Sequence, residues 1–402
     1  MTLTKRWGLA LTTALILAGC GGPSARPDMP LPRPGGEDGA RFSAAADSEG
    51  LDRLDPDDHF PFRRRDPQPT PPGREGVWLA VSNHNHSSYW DGSKPLTVLQ
   101  QEAYLKNIDA VVLTDHNTMR GTTSHEFLNP PPGLIMVKGM EWNAWREHGQ
   151  AVVGHAGLLG MKGDQGIHTG ASLDEMLSEA TRRDATVVIN HPFCKGNEWT
   201  QPAPDPRAHA IEVWNGHWYK TKPFIHNDKA LAWWDEALRA GRQLTAMSGT
   251  DYHGNWHSRI ANGIAMVYAE KPDAESILEG IRRGRVSLTG SPTSARLYLE
   301  ADVDGDGIYE SMMGDRLPLP ASGQLHVRAR VIGGAGKKVV FYTAKGRQAI
   351  RKLEGKDATV AMTINLADGH DYVRAEVRRF PHLPFSMTAI ANPIYVGSPA
   401  RP

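Results

Sequence analysis

The chain has 402 residues, of which 40% are hydrophobic and 22% charged, an ordinary globular composition with length enough for one large enzyme domain and a smaller one. Lys and Arg together number 45, as do Asp and Glu, so no global field points to nucleic acid or to an acidic surface. What departs from the ordinary is 17 histidines and 11 tryptophans.

At the start, Lys5 and Arg6 precede an apolar run from Trp7 to Ala18, too short to make a good spanning helix. It ends in Leu17-Ala18-Gly19-Cys20, which resembles a bacterial lipobox. Residues 1–20 therefore read as the signal peptide of an exported lipoprotein, cut before Cys20 and anchored by lipid on Cys20. Gly21, where Asp would favour inner-membrane retention, implies by the same resemblance the periplasmic side of the outer membrane. Residues 21–75 are rich in Pro, Gly, Asp and Arg and read as a disordered tether.

Folded character begins at Val77. Seven short apolar runs follow: Val77–Val81, Ala110–Leu113, Leu134–Val137, Ala151–Val153, Val187–Ile189, Ile211–Val213 and Leu244–Met247. They read as strands, and helical spacing of apolar residues predicts helices over Leu96–Lys106, Ser172–Arg183 and Asp228–Ala240. Alternation of this kind argues for a parallel α/β arrangement whose strand ends converge on one mouth. The link between the third and fourth runs is too short for a full helix, so a regular eightfold barrel is not expected. After about Ser291 the helical patterns vanish. Leu325–Val331, Lys338–Tyr342, Thr359–Ile364 and Tyr372–Val377 alternate apolar and polar residues, which suggests a small antiparallel β-sandwich over 293–402. Asp302, Asp304 and Asp306 open a calcium-loop pattern, but the twelfth position is Met313 rather than Glu. A polar hairpin turn is at least as good a reading as a calcium site.

Six of the seven runs lead into a good metal ligand. His84 and His86 follow the first, Asp115 and His116 the second, Glu141 the third, His155 the fourth, His191 the fifth, and Asp251 and His253 the last. Each pair alone is weak evidence; their common position just past an apolar run is not. Imidazole and carboxylate suit Zn, Mn or Fe. With Asp91 added and Asp115 left aside there are nine candidates, and a catalytic zinc usually takes about three protein ligands, so two or three divalent ions are expected. Glu141 can bridge two of them. Cys194, close behind His191, reads as a small buried hydrophobe rather than a ligand.

These motifs resemble those of the polymerase-and-histidinol-phosphatase (PHP) superfamily of metallohydrolases. Asn83-His84-Asn85-His86 with Asp91-Gly92 resembles its first motif, Thr114-Asp115-His116 the second, Gly139-Met140-Glu141 the third, and Asn190-His191-Pro192 and Gly249-Thr250-Asp251-Tyr252-His253 the later two. Gly154-His155-Ala156-Gly157, Val213-Trp214-Asn215-Gly216 and the tail Asn392-Pro393-Ile394-Tyr395 resemble the carbaryl-hydrolase-type branch. The resemblance implies a distorted seven-stranded (β/α) barrel over 76–292. It also implies ligand sets: His84, His86, Glu141 and Asp251 for one ion, Glu141, His155 and His191 for a second, and Asp91, His116 and His253 for a third. Asp115 would orient a neighbouring His. Trp90 stands where the family usually has Ser.

Arg259, Lys195, His217 and Asn215 are the candidates for substrate contact, Arg259 first because it follows the Asp251/His253 motif closely. His257 is a further candidate, and Trp142, Trp145, Trp199, Trp214, Trp218 and Trp256 could line an apolar pocket or simply fill the core. The resulting expectation is hydrolysis of a small phosphodiester or phosphomonoester by a metal-bridging hydroxide, with Glu141 and Asp251 central to catalysis. Hydrolysis of a carbamate or carboxylic ester is the alternative. A periplasmic lipoprotein that only binds metal or phosphate is the non-enzymatic one.

Overall fold

The computed structural model describes residues 68–143, 153–218, 225–254, 259–367, 369–381, 383 and 386–398. Cys20, the signal segment, most of the tether, Trp145, Trp256 and His257 lie outside the described residues. The fold is mixed α/β, with several sheets and few helices. Among the described residues no helix is long and apolar enough to cross a membrane.

The first ten strands are β1 (Val77–Asn85), β2 (Ala110–Leu113), β3 (Ile135–Val137), β4 (Gly139–Asn143), β5 (His155–Leu159), β6 (Thr186–Asn190), β7 (Ala210–Asn215), β8 (Thr245–Gly249), β9 (Ile264–Ala269) and β10 (Val286–Thr289). Helices α1 (Leu96–Leu105), α2 (Leu173–Arg182), α3 (Asn227–Arg239) and α4 (Ala274–Arg283) separate some of them. Strands β2 and β4 to β8 are buried at every position, which is why they read as continuous apolar runs rather than alternating ones. Helix α2 starts where a capping box places it: the Ser172 hydroxyl accepts from Glu175 N–H while Glu175 accepts from Ser172 N–H. Sequence reading missed α4, although Asp273 caps its start and Gly284, at φ 76°, ends it in the left-handed conformation.

Strands β4-β5-β6-β7-β8 form one sheet and β9-β1-β2-β3 part of another. Two isolated parallel bridges link the two sheets, His116 beyond β2 to Glu141 in β4 and Asn85 in β1 to Tyr252 beyond β8. β1/β2, β6/β7 and β7/β8 are parallel, but β5 runs antiparallel to both β4 and β6. Glu141 follows the third apolar run but lies inside a strand of its own, β4, and His155 opens β5; residues 151 and 152 of the expected fourth strand lie outside the described residues. Because β5 is reversed, its first residue reaches the side where its neighbours end: His155 pairs with both Asn143 and Asn190.

The C-terminal strands are β11 (Arg296–Asp302), β12 (Ser311–Met312), β13 (Arg316–Leu317), β14 (Gln324–Ile332), β15 (Lys338–Thr343), β16 (Gly346–Lys352), β17 (Ala358–Asn365), β18 (His370–Arg378) and β19 (Met387–Gly397). They pair antiparallel apart from β13 with β19. They do not form a self-contained unit. One sheet is β12-β11-β14-β17, but β16-β15-β18-β19 continues through β10 and β9 into β1. The tail motif explains part of the join. Asn392 Oδ1 accepts from Ala246 N–H at 2.7 Å, and its Nδ2 donates to the carbonyls of Ala246 and Val286, both at 2.9 Å. The Tyr395 hydroxyl meets Leu244 N–H and carbonyl oxygen at 3.3 Å. Thus β19 clamps the start of β8, the strand that leads to Asp251. Asn392→Ala leaves three buried backbone groups unpaired and is expected to lower unfolding free energy by about 2–4 kcal/mol, read by urea denaturation, with specific activity of the folded fraction preserved.

Candidate metal centre

The centre is built where β1, β4, β5, β6 and β8 bring polar residues to one place. Glu141 is its middle. One carboxylate oxygen, Oε2, lies 3.1 Å from His84 Nε2, 3.3 Å from His86 Nε2 and 3.2 Å from His116 Nδ1. The other, Oε1, lies 3.2 Å from His155 Nδ1 and 3.3 Å from His191 Nε2, and accepts from Asn190 Nδ2 at 2.9 Å. Asp251 Oδ1 is 3.6 Å from His84 Nε2, 3.8 Å from His86 Nε2 and 3.4 Å from His253 Nδ1. Asp91 Oδ2 faces His253 Nε2 at 3.3 Å and His116 Nε2 at 3.7 Å, and its Oδ1 faces His86 Nδ1 at 3.6 Å. All nine sequence-predicted ligands therefore come together. The compact groups that could hold an ion are His84-His86-Glu141, His116-Glu141-His155 and His86-Asp91-His116-His253. His116 thus stands beside Glu141 and His155 as well as Asp91, where the family pattern gives it to the third set alone.

Two further observations set this cluster apart from an ordinary buried polar network. Seven of its atoms are buried without a hydrogen-bond partner: His84 Nε2, both ring nitrogens of His86, Asp91 Oδ1, and Nδ1 of His116, His155 and His191. Buried polar atoms are nearly always satisfied, so this concentration fits donors meant for metal ions. Backbone strain is concentrated here too. His84 (φ 62°), His191 (φ 25°) and Asp251 (φ 49°) occupy the left-handed region, which costs of order 1 kcal/mol or more at a non-glycine residue.

The electrostatics follow from crowding. Burial pushes the Glu141 carboxyl up, but the charges of His84, His116 and His155 outweigh it and hold it well below the carboxylate range. Burial pushes His84 down, yet Glu141, Glu212 and Asp251 together raise it well above an ordinary imidazole. His116 goes the other way, to about 3, chiefly through burial. Burial opposes the charge on His253, but its hydrogen bond to Asp91 and the charges of Asp251 and Asp91 hold it at about 9.

Other expectations are corrected. Asp115 accepts from the Ser87 N–H at 2.7 Å and the Ser87 hydroxyl at 2.8 Å, so it pins the loop after His86 rather than an imidazole. Asn215 is buried, and its Nδ2 donates to Glu212 Oε2 at 3.0 Å. It supports the centre rather than reaching for substrate. Lys195, His217 and Arg259 are exposed and belong to none of the compact groups. Cys194 is buried and outside them as well. Trp142, Trp199, Trp214 and Trp218 are buried in the core, whereas Trp90, beside Asp91, is 48% exposed. A cavity of about 410 Å³, lined by Pro192, Phe193, Trp199, Pro202 and Trp233 among others, begins one residue past His191.

Sequence reading missed Glu212. It lies mid-strand in β7, fully buried, and accepts from His84 Nδ1 at 2.8 Å and from His191 N–H at 2.9 Å. A charged residue inside the apolar run Ala210–Val213 was the available signal.

In the β11–β12 loop, Asp302, Asp304 and Asp306 are close enough to share an ion. Their oxygens already accept from loop N–H groups of Gly305, Gly307, Asp306 and Ile308, so the turn accounts for these residues without a cation.

No protein-family model matches the chain, and no curated protein matches it. Among solved structures it is similar to a two-domain protein from Bacteroides vulgatus containing a predicted PHP-like metal-dependent phosphoesterase, at 16% identity and a TM-score of 0.45, over 82% of this chain and 99% of that one. It is also similar to an amidohydrolase from Chromobacterium violaceum with bound sulfate and no metal, at 17% identity and a TM-score of 0.35, over 44% and 89%. A third is a protein from Bifidobacterium adolescentis assigned as a metal-dependent phosphoesterase, at 14% identity and a TM-score of 0.34, over 54% and 98%.

Proposed function

We propose that the chain is a hydrolase of the PHP type that cleaves small organic phosphate esters with two or three divalent metals. The observation that carries this reading is the Glu141 carboxylate with five imidazoles within 3.3 Å, set among orphaned buried nitrogens. His84, His86, Glu141 and Asp251 would hold one metal. Glu141, His155 and His191 would hold a second, and Asp91, His116 and His253 a third. Such metals supply charge neutralisation for phosphoryl oxygens and make water acidic enough to lose a proton near neutral pH. The chain's own part is positional. Asn190 fixes one Glu141 oxygen, and Asp115 and Ser87 hold the loop between His86 and Asp91. His253 and Asp91 are the more accessible members, with side chains 24% and 17% exposed, so substrate would enter from their side. In fold terms, the strands from β1 to β8, with β3 and β4 counted as one because only Lys138 separates them, would form the distorted seven-stranded barrel of that superfamily, its two sheets joined by the isolated bridges, with the C-terminal strands as a sandwich against it.

A second reading, hydrolysis of an aryl carbamate or ester, is favoured by one observation, the aromatic cavity that starts next to His191. Purified protein loaded with Mn or Zn should be compared on p-nitrophenyl phosphate, bis-p-nitrophenyl phosphate and 1-naphthyl carbamate. Turnover of a phosphate ester and not of the carbamate is expected. The opposite pattern selects the second reading, and no turnover by metal-loaded protein selects a binding lipoprotein.

The lipobox reading is carried forward as a proposal as well: an exported protein held by lipid on Cys20 at the periplasmic side. Cys20→Ala should then leave an uncleaved, unlipidated precursor by mass spectrometry. A wild-type mature N-terminus without lipid would contradict the anchor.

A further inference from the structure

We infer that Glu212 is a positioning residue for two of the metal positions at once, and that Gly249 is glycine in order to leave it room. The inference rests on the metal reading above. Glu212 sits on β7, behind the centre, with no exposed surface. Its Oε1 lies 2.8 Å from His84 Nδ1. An ionised carboxylate only accepts, so this contact requires the proton on Nδ1. Once the ring is neutral, Nε2 of His84, which faces Glu141 at 3.1 Å and Asp251 at 3.6 Å, is then the nitrogen left with a lone pair. The second oxygen, Oε2, accepts from the His191 N–H at 2.9 Å and from Asn215 Nδ2 at 3.0 Å. It thereby holds the backbone of His191 at φ 25°, a conformation that needs external support. One buried carboxylate therefore sets the tautomer of a residue on one side of Glu141 and the backbone of a residue on the other.

Gly249, the last residue of β8, supplies the independent observation. Its backbone is not in the left-handed region, so conformational freedom does not explain it. A Cβ there would lie 1.6 Å from Glu212 Oε1 and 2.4 Å from its Cδ. Any side chain at position 249 must push the carboxylate off His84. Asn215 completes the arrangement, since its own N–H donates to Asn227 Oδ1 at 3.0 Å, which anchors it to α3.

Metal-free protein should be titrated with zinc and with manganese by calorimetry, beside Glu212→Gln, Glu212→Ala and Gly249→Ala. Glutamine keeps the size but turns an NH2 towards donors on one side or the other. All three variants are expected to bind metal about 10–100-fold more weakly, with more than one equivalent affected. In zinc-loaded wild type, where the His84 ring is neutral, imidazole ¹⁵N spectra should show its remaining proton at Nδ1, and this signature should be lost in Glu212→Ala. In the Glu212→Ala background, adding Gly249→Ala should change affinity little, because the two act through one contact. Wild-type affinity and an unchanged His84 signature in Glu212→Gln and Gly249→Ala would overturn the inference. A loss of thermal stability alone, with metal affinity intact in the folded fraction, would also overturn it by reducing Glu212 to a core residue. Failure of the wild type itself to bind metal would instead strike the metal reading beneath.

Discussion

Replacing Glu141 with alanine is expected to remove most bound metal and to lower turnover about 10²–10³-fold, with elemental analysis and kinetics on one preparation. The size of the effect follows from where the two oxygens point. Oε2 serves His84, His86 and His116, while Oε1 serves His155 and His191. Alanine removes the shared anion from both sides and leaves five buried imidazoles with no carboxylate between them. Glutamine gives a sharper result. Asn190 Nδ2 donates to Oε1 at 2.9 Å, so in Glu141→Gln the new amide oxygen would settle on that side and the new NH2 would face His84, His86 and His116. This variant should therefore lose metal from the NH2 side first and retain some on the His155/His191 side. Near-normal metal content and turnover in Glu141→Ala would mean that the carboxylate bridges nothing.

Much of this centre is legible in the sequence, because its residues obey a positional rule. His84, His116, His191 and Asp251 follow apolar runs that become parallel strands, and parallel strands end on one side. The rule fails where its premise fails. β5 is antiparallel, so His155 opens its strand instead of following it, and the apolar periodicity of five residues carries no information on direction. Glu141 is recognisable as a motif and misplaced as an element for the same reason. The carboxylates that support the ligands are harder. Asp115 reads as the partner of an imidazole, but its partner is Ser87, a contact across a loop that strand spacing does not encode. Glu212 is visible as a charge in an apolar strand, yet its role depends on β7 lying next to β8 and behind His84, which only the assembled sheet reveals. The shared sheet between the N- and C-terminal parts is likewise hidden. Alternation in β14 and β17 shows which face is wet, not that β19 will also pair with β10.

Adding manganese or zinc to metal-free protein is expected to raise its melting temperature by about 4 °C for each site filled at a free concentration near a hundred times Kd, from the roughly 2.7 kcal/mol of linkage and about 1.5 °C per kcal/mol for a folded body of about 300 residues. The direction follows from the folded cluster alone: an unfolded chain disperses ligands that lie from residue 84 to residue 253, so metal favours the folded state. The shift should depend on pH, and its sign can be worked out. In metal-free protein His84 is held well above the ordinary imidazole range and His253 at about 9. Both are therefore protonated at pH 7, and an imidazole with a proton on each nitrogen has no lone pair for a cation until one proton leaves. Metal binding must release protons, so affinity should climb by about tenfold per pH unit for each proton displaced, and keep climbing until pH approaches the His253 value. Below pH 6 Glu141 and Asp91 stay ionised, while displacing each imidazole proton costs a further tenfold or so in affinity per pH unit, so the thermal shift should shrink. The acidic loop at Asp302, Asp304 and Asp306 is the control. Its three acidic residues include no imidazole, and Asp304→Asn should leave the pH-dependent shift intact. A stabilisation that is flat from pH 6 to 9, or one abolished by Asp304→Asn, would place the bound metal on the loop and not at Glu141.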